Sequence, residues 1–210
     1  MPKFLLTKCL TWEELSQEQR LKILDMNRDI DLDMLTSEDI IWELSEAGNK
    51  VADAGFLNPE FEYCYSYSQG DGACFDCEMF NWELLLEDLD IPHKKFFIKY
   101  LEEGTNIDYG IRRPNASYAY HYSHERCRKF FIDAQYGWPS RVCEIYEKIE
   151  QHIETKRLDL CRVAFTDICN AIDWAQSDEH LMERFQYCDY YYREDTLQVA
   201  DDTKLIEIPV

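Results

Sequence analysis

One stretch, residues 63–80, constrains the fold of this chain more than any other. Its first half alternates aromatic residues with small or polar ones, and a second alternating segment follows a pair of glycines. Period-two alternation is typical of a half-buried strand. Gly70 and Gly72 bracket Asp71, and glycine adopts the backbone conformations that a tight reversal requires. The pattern predicts a β-hairpin that turns over residues 69–73.

Helical patterns precede this hairpin. Thr11-Trp-Glu-Glu14 is a capping-box pattern, and it predicts a first helix that continues to about residue 28. Ser37 precedes an apolar stripe of three-to-four residue spacing that ends at Gly55, so a second helix is expected there. The N-terminal region should therefore be a helical hairpin.

Further strands and helices follow the hairpin. Tyr118, Tyr120 and Tyr122 alternate with smaller residues and predict a strand beside the hairpin. Apolar spacing over 139–174 predicts a long helix with a break near Thr155, followed by another helix from Ser177 and an edge strand at 190–192. We expect an α+β fold in one domain, residues 1–210: a mostly antiparallel, aromatic-rich sheet covered by helices, with long C-terminal helices.

The net charge of the chain limits the classes of partner that it is expected to bind. Lys and Arg total 22 against 42 Asp and Glu, which gives a net charge of −20. Electrostatic attraction to nucleic acid or to an anionic membrane is therefore disfavoured, and basic partners are favoured. The sequence lacks both a long apolar run and a signal-peptide pattern, and its nine cysteines are an odd, scattered set. We expect a cytoplasmic protein with reduced thiols.

Two patterns bear on catalysis and metal binding. Cys74-x-x-Cys77 with His121 and His124 has the residue types of a zinc site, but strand residues three apart point to opposite faces, so we expect neither a metal nor a cofactor. The loop before Cys74, followed later by His121 or His124, resembles the Asp-Gly-x-Cys loop of ovarian-tumour-type cysteine peptidases, which implies Cys74 as nucleophile and one of these histidines, His121 or His124, as base. The neighbouring acids raise rather than lower a thiol pKa, so a buried core role for Cys74 is expected first.

Several segments together resemble a family of small accessory proteins of tailed phages and prophages, sometimes labelled antitoxin-like. They are Glu14-Leu-Ser-Gln-Glu-Gln-Arg20, Tyr67-Ser-Gln-Gly-Asp-Gly-Ala-Cys-Phe75, His121-Tyr-Ser-His-Glu125 and Ser177-Asp-Glu179. The resemblance implies a protein that acts in the cytoplasm of a host bacterium against its defences, of the anti-CRISPR or antirestriction type. Asp76-Cys77 departs from the glycine-containing continuation expected after Phe75.

The resemblance and the charge together predict a stoichiometric inhibitor that mimics nucleic acid on a basic host protein, such as a defence nuclease or a CRISPR effector. Neither direct nucleic-acid binding nor membrane binding is expected. The candidate binding residues are Glu38, Asp39, Glu43, Glu46, Gln69, Asp71, Tyr65 and Tyr67. Two alternatives stay open: an antitoxin-like protein-binding module that uses an aromatic sheet face, and a cysteine-dependent hydrolase that uses Cys74 and His121.

Overall fold

The structure is a computed structural model that describes residues 8–28, 40–41, 45–65, 70–103, 107–114, 123–134, 138–188 and 190–200. Packing divides the chain into two compact units. The terminal unit lies within Met1–Thr36 and Ala171–Val210, and the central unit lies within Ser37–Asn170. The organisation as a single domain stays a prediction.

In the residues that the structure describes, the central unit contains helices and three antiparallel strand pairs. Its helices are α2 (Ala47–Asp53), α3 (Trp82–Leu85), α4 (Lys94–Glu103) and most of the long α5 (Ser140–Ala175). Its strands are β2 (Phe56–Leu57), β3 (Glu60–Cys64), β4 (Gly72–Asp76), β5 (Met79–Phe80), β6 (Ile107–Arg112) and β7 (Lys129–Ala134). The pairs are β2 with β5, β3 with β4 and β6 with β7.

The α+β class is confirmed, and the strand pairs of the described residues are antiparallel. Within the described residues, the strands form two-stranded sheets rather than one broad sheet. The predicted hairpin is present as β3 and β4, where Cys64 pairs with Gly72. The predicted strand at Tyr118, Tyr120 and Tyr122 lies outside the described residues.

Aromatic side chains fill the core of the central unit, where Phe75 and Phe130 are fully buried. The helix α5 supplies Ile149 and Ile153 to this core. The helix α5 continues through Thr155 without the predicted break, and the Thr155 hydroxyl donates to the carbonyl of Gln151 at 2.8 Å within the helix.

The terminal unit pairs β1 (Cys9–Leu10) with β8 (Tyr192–Arg193), which confirms a strand near residues 190–192. Its helices are α1 (Gln17–Asn27) and α6 (Asp178–Tyr187), and Ser177 caps α6 as predicted. The first helix begins later than expected. The Thr11 capping box opens only the 3-10 turn Trp12–Glu14, Leu15 is extended, and a second capping box at Ser16 starts α1.

A search of the described residues for a helix that is both long enough and apolar enough to cross a membrane finds none.

Candidate binding groove

The central unit contains an open groove of about 630 Å³. Residues 109–112 of β6 line one wall, and residues 57–58 and 76–80 line a second wall. Glu60 and Phe131 complete the lining. The volume falls within the range of about 300–1,000 Å³ that is usual for ligand sites.

The charge of the groove is negative. The carboxylates of Glu60 and Glu78 are exposed at its rim, whereas Asp76 is bound by Arg128 at 3.0 Å. The one cation of the lining, Arg112, places its guanidinium 3.8 Å from the centroid of the Phe131 ring and pairs with Asp133 at 3.5 Å. The stacking and the ion pair occupy this cation, so Glu60 and Glu78 keep their charge available to a ligand.

Aromatic packing holds the base of the groove. Phe80 stacks on Trp82 with ring centroids 5.3 Å apart, and Tyr109 meets the Trp82 ring edge-on at 4.8 Å. The Tyr109 hydroxyl donates to the carbonyl of Leu101 at 3.1 Å, so its polar end is satisfied. These contacts fix the side chains that a ligand would meet.

Cys77 closes the second wall. Its Sγ lies 3.0 Å from the carbonyl oxygen of Leu57 and 2.7 Å from that of Met79. Burial raises the pKa of the Cys77 thiol to about 11, so the thiol is neutral at pH 7. Cys77 therefore acts as a small buried residue that ties the two ends of the wall together.

A set of ion pairs lies beside the groove and shares Asp76 with it. Arg128 bridges Asp76 and Glu62, with Nη2 at 2.7 Å from the Glu62 carboxylate. Arg113 pairs with the other oxygen of Glu62. Burial acts to raise the pKa of Glu62, but hydrogen bonds and attraction from Arg113 and Arg128 outweigh it and lower the pKa below 4.5.

A buried arginine anchors the segment that carries Arg128. Arg157 is 0% exposed, and its Nε donates to the carboxylate of Glu154 at 2.7 Å. Its Nη2 donates to the backbone carbonyls of Glu125 at 2.9 Å and Arg128 at 2.7 Å. Removal of a charge from water is costly unless it is paired and hydrogen-bonded, and Arg157 meets both conditions.

The same helix closes one edge of the β6–β7 ribbon. The backbone N–H of Phe130 donates to Glu154 at 2.8 Å, and that of Ile132 donates to Glu150 at 3.0 Å. Carboxylates of α5 therefore occupy amide donors of β7 that do not face β6.

The candidate nucleophile Cys74 lies in β4 and is 0% exposed. Burial, and to a smaller extent the nearby Glu62 carboxylate, together raise the pKa of its thiol to about 12. A neutral, inaccessible thiol is a poor nucleophile, so the structure favours the core role. His121 lies outside the described residues.

The predicted acidic binding residues are only partly described. Glu46 is exposed at the start of α2 and lies 3.8 Å from Lys50, which makes a closer pair with Asp167 at 2.6 Å. Glu38, Asp39 and Glu43 lie outside the described residues, so their role stays a prediction.

The predicted binding loop connects β3 to β4. Tyr65 and Asp71 are half-buried there, while Gln69 and Tyr67 lie outside the described residues. Gly72 is required by packing, because a Cβ atom at this position would lie 2.6 Å from the Cα atom of His124. The loop thus has a structural constraint of its own, and its role in binding stays a prediction.

Metal binding receives no support from the described part of the chain, in which no group of three or more His, Cys, Asp or Glu side chains is arranged to hold an ion.

Glu60, Glu78 and Arg112 were not among the sequence candidates. They lie on separate strands and turns, and no motif joins them. Their shared site arises from packing of β6 against the hairpin region. The one sequence signal is the alternation of acids with apolar residues over 74–79, which includes Glu78 and is also the pattern of a strand.

Comparisons with protein-family models, with curated protein sequences and with solved structures find no match to this chain.

Proposed function

We propose that this chain is a phage-encoded acidic inhibitor of a bacterial defence system, which binds stoichiometrically to a basic surface of its target. The observation that carries the proposal is the groove rim, where the exposed carboxylates of Glu60 and Glu78 stand beside an aromatic base. Cationic side chains are attracted both to carboxylates and to aromatic faces.

The distribution of ion pairs supports this proposal. Arg112, Arg113, Arg128 and Arg157 of the central unit are all paired with carboxylates. With 22 basic and 42 acidic residues in the chain, the acids exceed any possible one-to-one pairing by 20. This surplus attracts a basic partner over distance and accelerates its association at low salt.

The class of target follows from the charge and from the phage-family resemblance of the sequence motifs. A nucleic-acid-binding groove of a CRISPR effector or a restriction nuclease is lined with lysine and arginine that normally contact phosphate. An acidic protein competes for those cations. Cys74 takes no part in this activity, and Cys74→Ala should therefore leave inhibition unchanged if the chain still folds.

A second candidate is an antitoxin-like module whose aromatic surface binds a protein partner. The aromatic side chains of Phe80, Tyr109 and Phe131 in the groove lining favour it. Salt separates the two candidates, because charge-driven binding weakens steeply with ionic strength whereas an aromatic interface tolerates salt.

The test is capture of proteins from a bacterial host lysate on the immobilised chain at about 50 mM and 500 mM salt, where the Debye length falls several-fold. The captured partner is then purified and its affinity is measured. The double variant Glu60→Lys with Glu78→Lys should weaken binding by at least about tenfold, or 1.4 kcal/mol. The matched control is Glu144→Lys with Glu147→Lys, two exposed acids of α5.

The inhibitor function is supported if the partner is lost at high salt and if the groove variant, but not the control variant, binds the partner more weakly. Binding that survives high salt favours the aromatic module. If the groove and control variants bind equally well at low salt, the groove is not the site.

A further inference from the structure

The two edges of the β6–β7 ribbon differ in what their backbone groups contact. The register pairs Tyr109 with Ile132 and Ile111 with Phe130. The amides of Phe130 and Ile132 donate to Glu154 and Glu150, so they do not donate to β6. The pairs Tyr109–Ile132 and Ile111–Phe130 therefore exchange no hydrogen bonds across the ribbon.

The antiparallel alternation then determines the direction of the β6 backbone. Asp108, Gly110 and Arg112 bond to β7, whereas the N–H and C=O groups of Tyr109 and Ile111 point away from it. Residues 109–112 form a wall of the groove. Tyr109 and Ile111, whose backbone groups point to the outer edge of β6, are therefore among the residues that line the groove.

No strand within the described ranges pairs with this outer edge, and the sheet there contains β6 and β7 alone. An edge of this kind presents a row of donors and acceptors that an extended chain can complete. The opposite edge of the ribbon differs, because α5 places carboxylates on its amides.

The groove charge defines the occupant. Glu60 and Glu78 are exposed beside the open edge, and Arg112 is held by Phe131 and Asp133. A segment that carries lysine or arginine would place its cations near these carboxylates. A second copy of this chain would bring the same carboxylates together, and like charges at close range oppose association.

We propose that the outer edge of β6 is a docking site at which an extended, basic segment of a partner protein adds as a third strand. The proposal rests on the proposed function, since it specifies how the acidic protein engages its partner. Main-chain hydrogen bonds to Tyr109 and Ile111 would hold the segment, and Glu60 and Glu78 would select its basic side chains. The six residues of β6 span about 20 Å, so about five or six partner residues would be ordered.

The test uses the full-length chain and four synthetic eight-residue peptides. The first alternates arginine with valine, and the second replaces each arginine with glutamate. The third and fourth keep the arginine–valine sequence but carry N-methyl groups on all valine amides or on all arginine amides. Since alternate amides of a strand point to opposite edges, only one of the methylated sets faces β6.

We expect the arginine–valine peptide to bind and the glutamate peptide to bind at least about tenfold more weakly. One methylated peptide should lose at least about tenfold in affinity and the other should stay within about threefold. Hydrogen exchange of the Tyr109 and Ile111 amides should slow on binding, while the Gly110 amide, already bonded to β7, should change little. The double variant Glu60→Gln with Glu78→Gln should bind the arginine–valine peptide more weakly than the wild type does. The control variant Glu144→Gln with Glu147→Gln should bind it as the wild type does.

The proposal is overturned if the arginine–valine peptide does not bind, if both methylations have equal effects, or if the two amides show no added protection. Protection of Tyr109 and Ile111 that rises with protein concentration alone would instead identify a second copy as the occupant. If lysate capture is salt-sensitive and depends on Glu60 and Glu78 while the peptides fail, the proposed function stands and strand addition is wrong. If the peptides bind as expected and no host target is captured, strand addition stands without the inhibitor function.

Discussion

The two edges of the β6–β7 ribbon use the same residue type in opposite ways. At the β7 edge, Glu150 and Glu154 point inward from α5 and accept backbone amides, and Glu154 also pairs with the buried Arg157. At the β6 edge, Glu60 and Glu78 stand exposed beside a backbone that has no strand partner in the described ranges. One set of carboxylates completes the fold, and the other is available to a ligand.

The difference shows that acidity alone does not identify a binding surface. A glutamate that accepts amide and guanidinium donors has its charge satisfied and contributes to stability. A glutamate in solvent contributes little to stability, and its unpaired negative charge can attract a cationic partner. Substitution should therefore distinguish the two sets of glutamates. Changes at Glu150 and Glu154 should lower the free energy of unfolding, and changes at Glu60 and Glu78 should lower the affinity for a basic partner.

The largest effect on stability is expected at Glu154. Glu154→Ala removes both the acceptor of the Phe130 amide and the counter-charge of Arg157, which is 0% exposed. Breaking a buried ion pair in this way should lower the free energy of unfolding by about 3–5 kcal/mol. Urea unfolding at pH 7 measures it, with Glu147→Ala on the exposed face of α5 as a control that should stay within about 0.5 kcal/mol. Equal losses in both variants would contradict the division into two sets.

A smaller effect is expected at Glu150, which accepts the Ile132 amide and pairs with Lys129 at 3.2 Å. Glu150→Ala should lower the free energy of unfolding by about 1–2 kcal/mol, because an amide at the strand edge loses its acceptor. Glu150→Gln retains a carbonyl acceptor and should lose less. If alanine and glutamine destabilise equally, charge rather than amide capping explains the role of Glu150.

The pH dependence of stability should include a contribution from Glu62. Its pKa is lowered by Arg113 and Arg128 despite burial, so the unfolded state binds more protons as the pH falls below about 4.5. The stabilisation is present above that pH and is lost as the pH falls through the lower pKa of the folded state. Urea midpoints between pH 7 and 3 should therefore fall more steeply for the wild type than for Glu62→Gln. Parallel curves would show that the two arginines do not stabilise the ionised form.

The smallest effect on stability is expected at the groove rim. Glu60→Gln with Glu78→Gln should change the free energy of unfolding by no more than about 0.5 kcal/mol, since both side chains are exposed. The same variant should weaken binding of a basic partner. A large loss of stability would place these residues with the structural carboxylates and remove the contrast between the two edges.

Much of the secondary structure followed from local patterns. The apolar spacing that predicted a helix over 139–174 agrees with α5 at Ser140–Ala175, and Ser177 begins the next helix as expected. The first helix begins later than the Thr11 capping box predicts, because that box opens only a 3-10 turn. The second capping box, formed by Ser16 and Gln19, is the local signal that marks the start of α1.

The candidate site was less accessible to sequence reasoning. The hairpin glycines and the loop that follows them indicate Cys74 as a candidate site residue, but Cys74 is buried and belongs to the core. The groove instead joins β6 to residues near β2 and β5, which are distant in the chain. Glutamates 60, 62, 150 and 154 are chemically identical in the sequence, and only their neighbours distinguish them.

The sequence by itself determined the α+β class, the hairpin, the long helix and the acidic character, because periodicity, turn chemistry and net charge are local or additive properties. The tertiary structure alone decided that the described strands form separate pairs, that α5 closes the β7 edge and that β6 lines an acidic groove. Those features depend on contacts between residues far apart in the chain, and such contacts leave no periodic pattern in a single sequence.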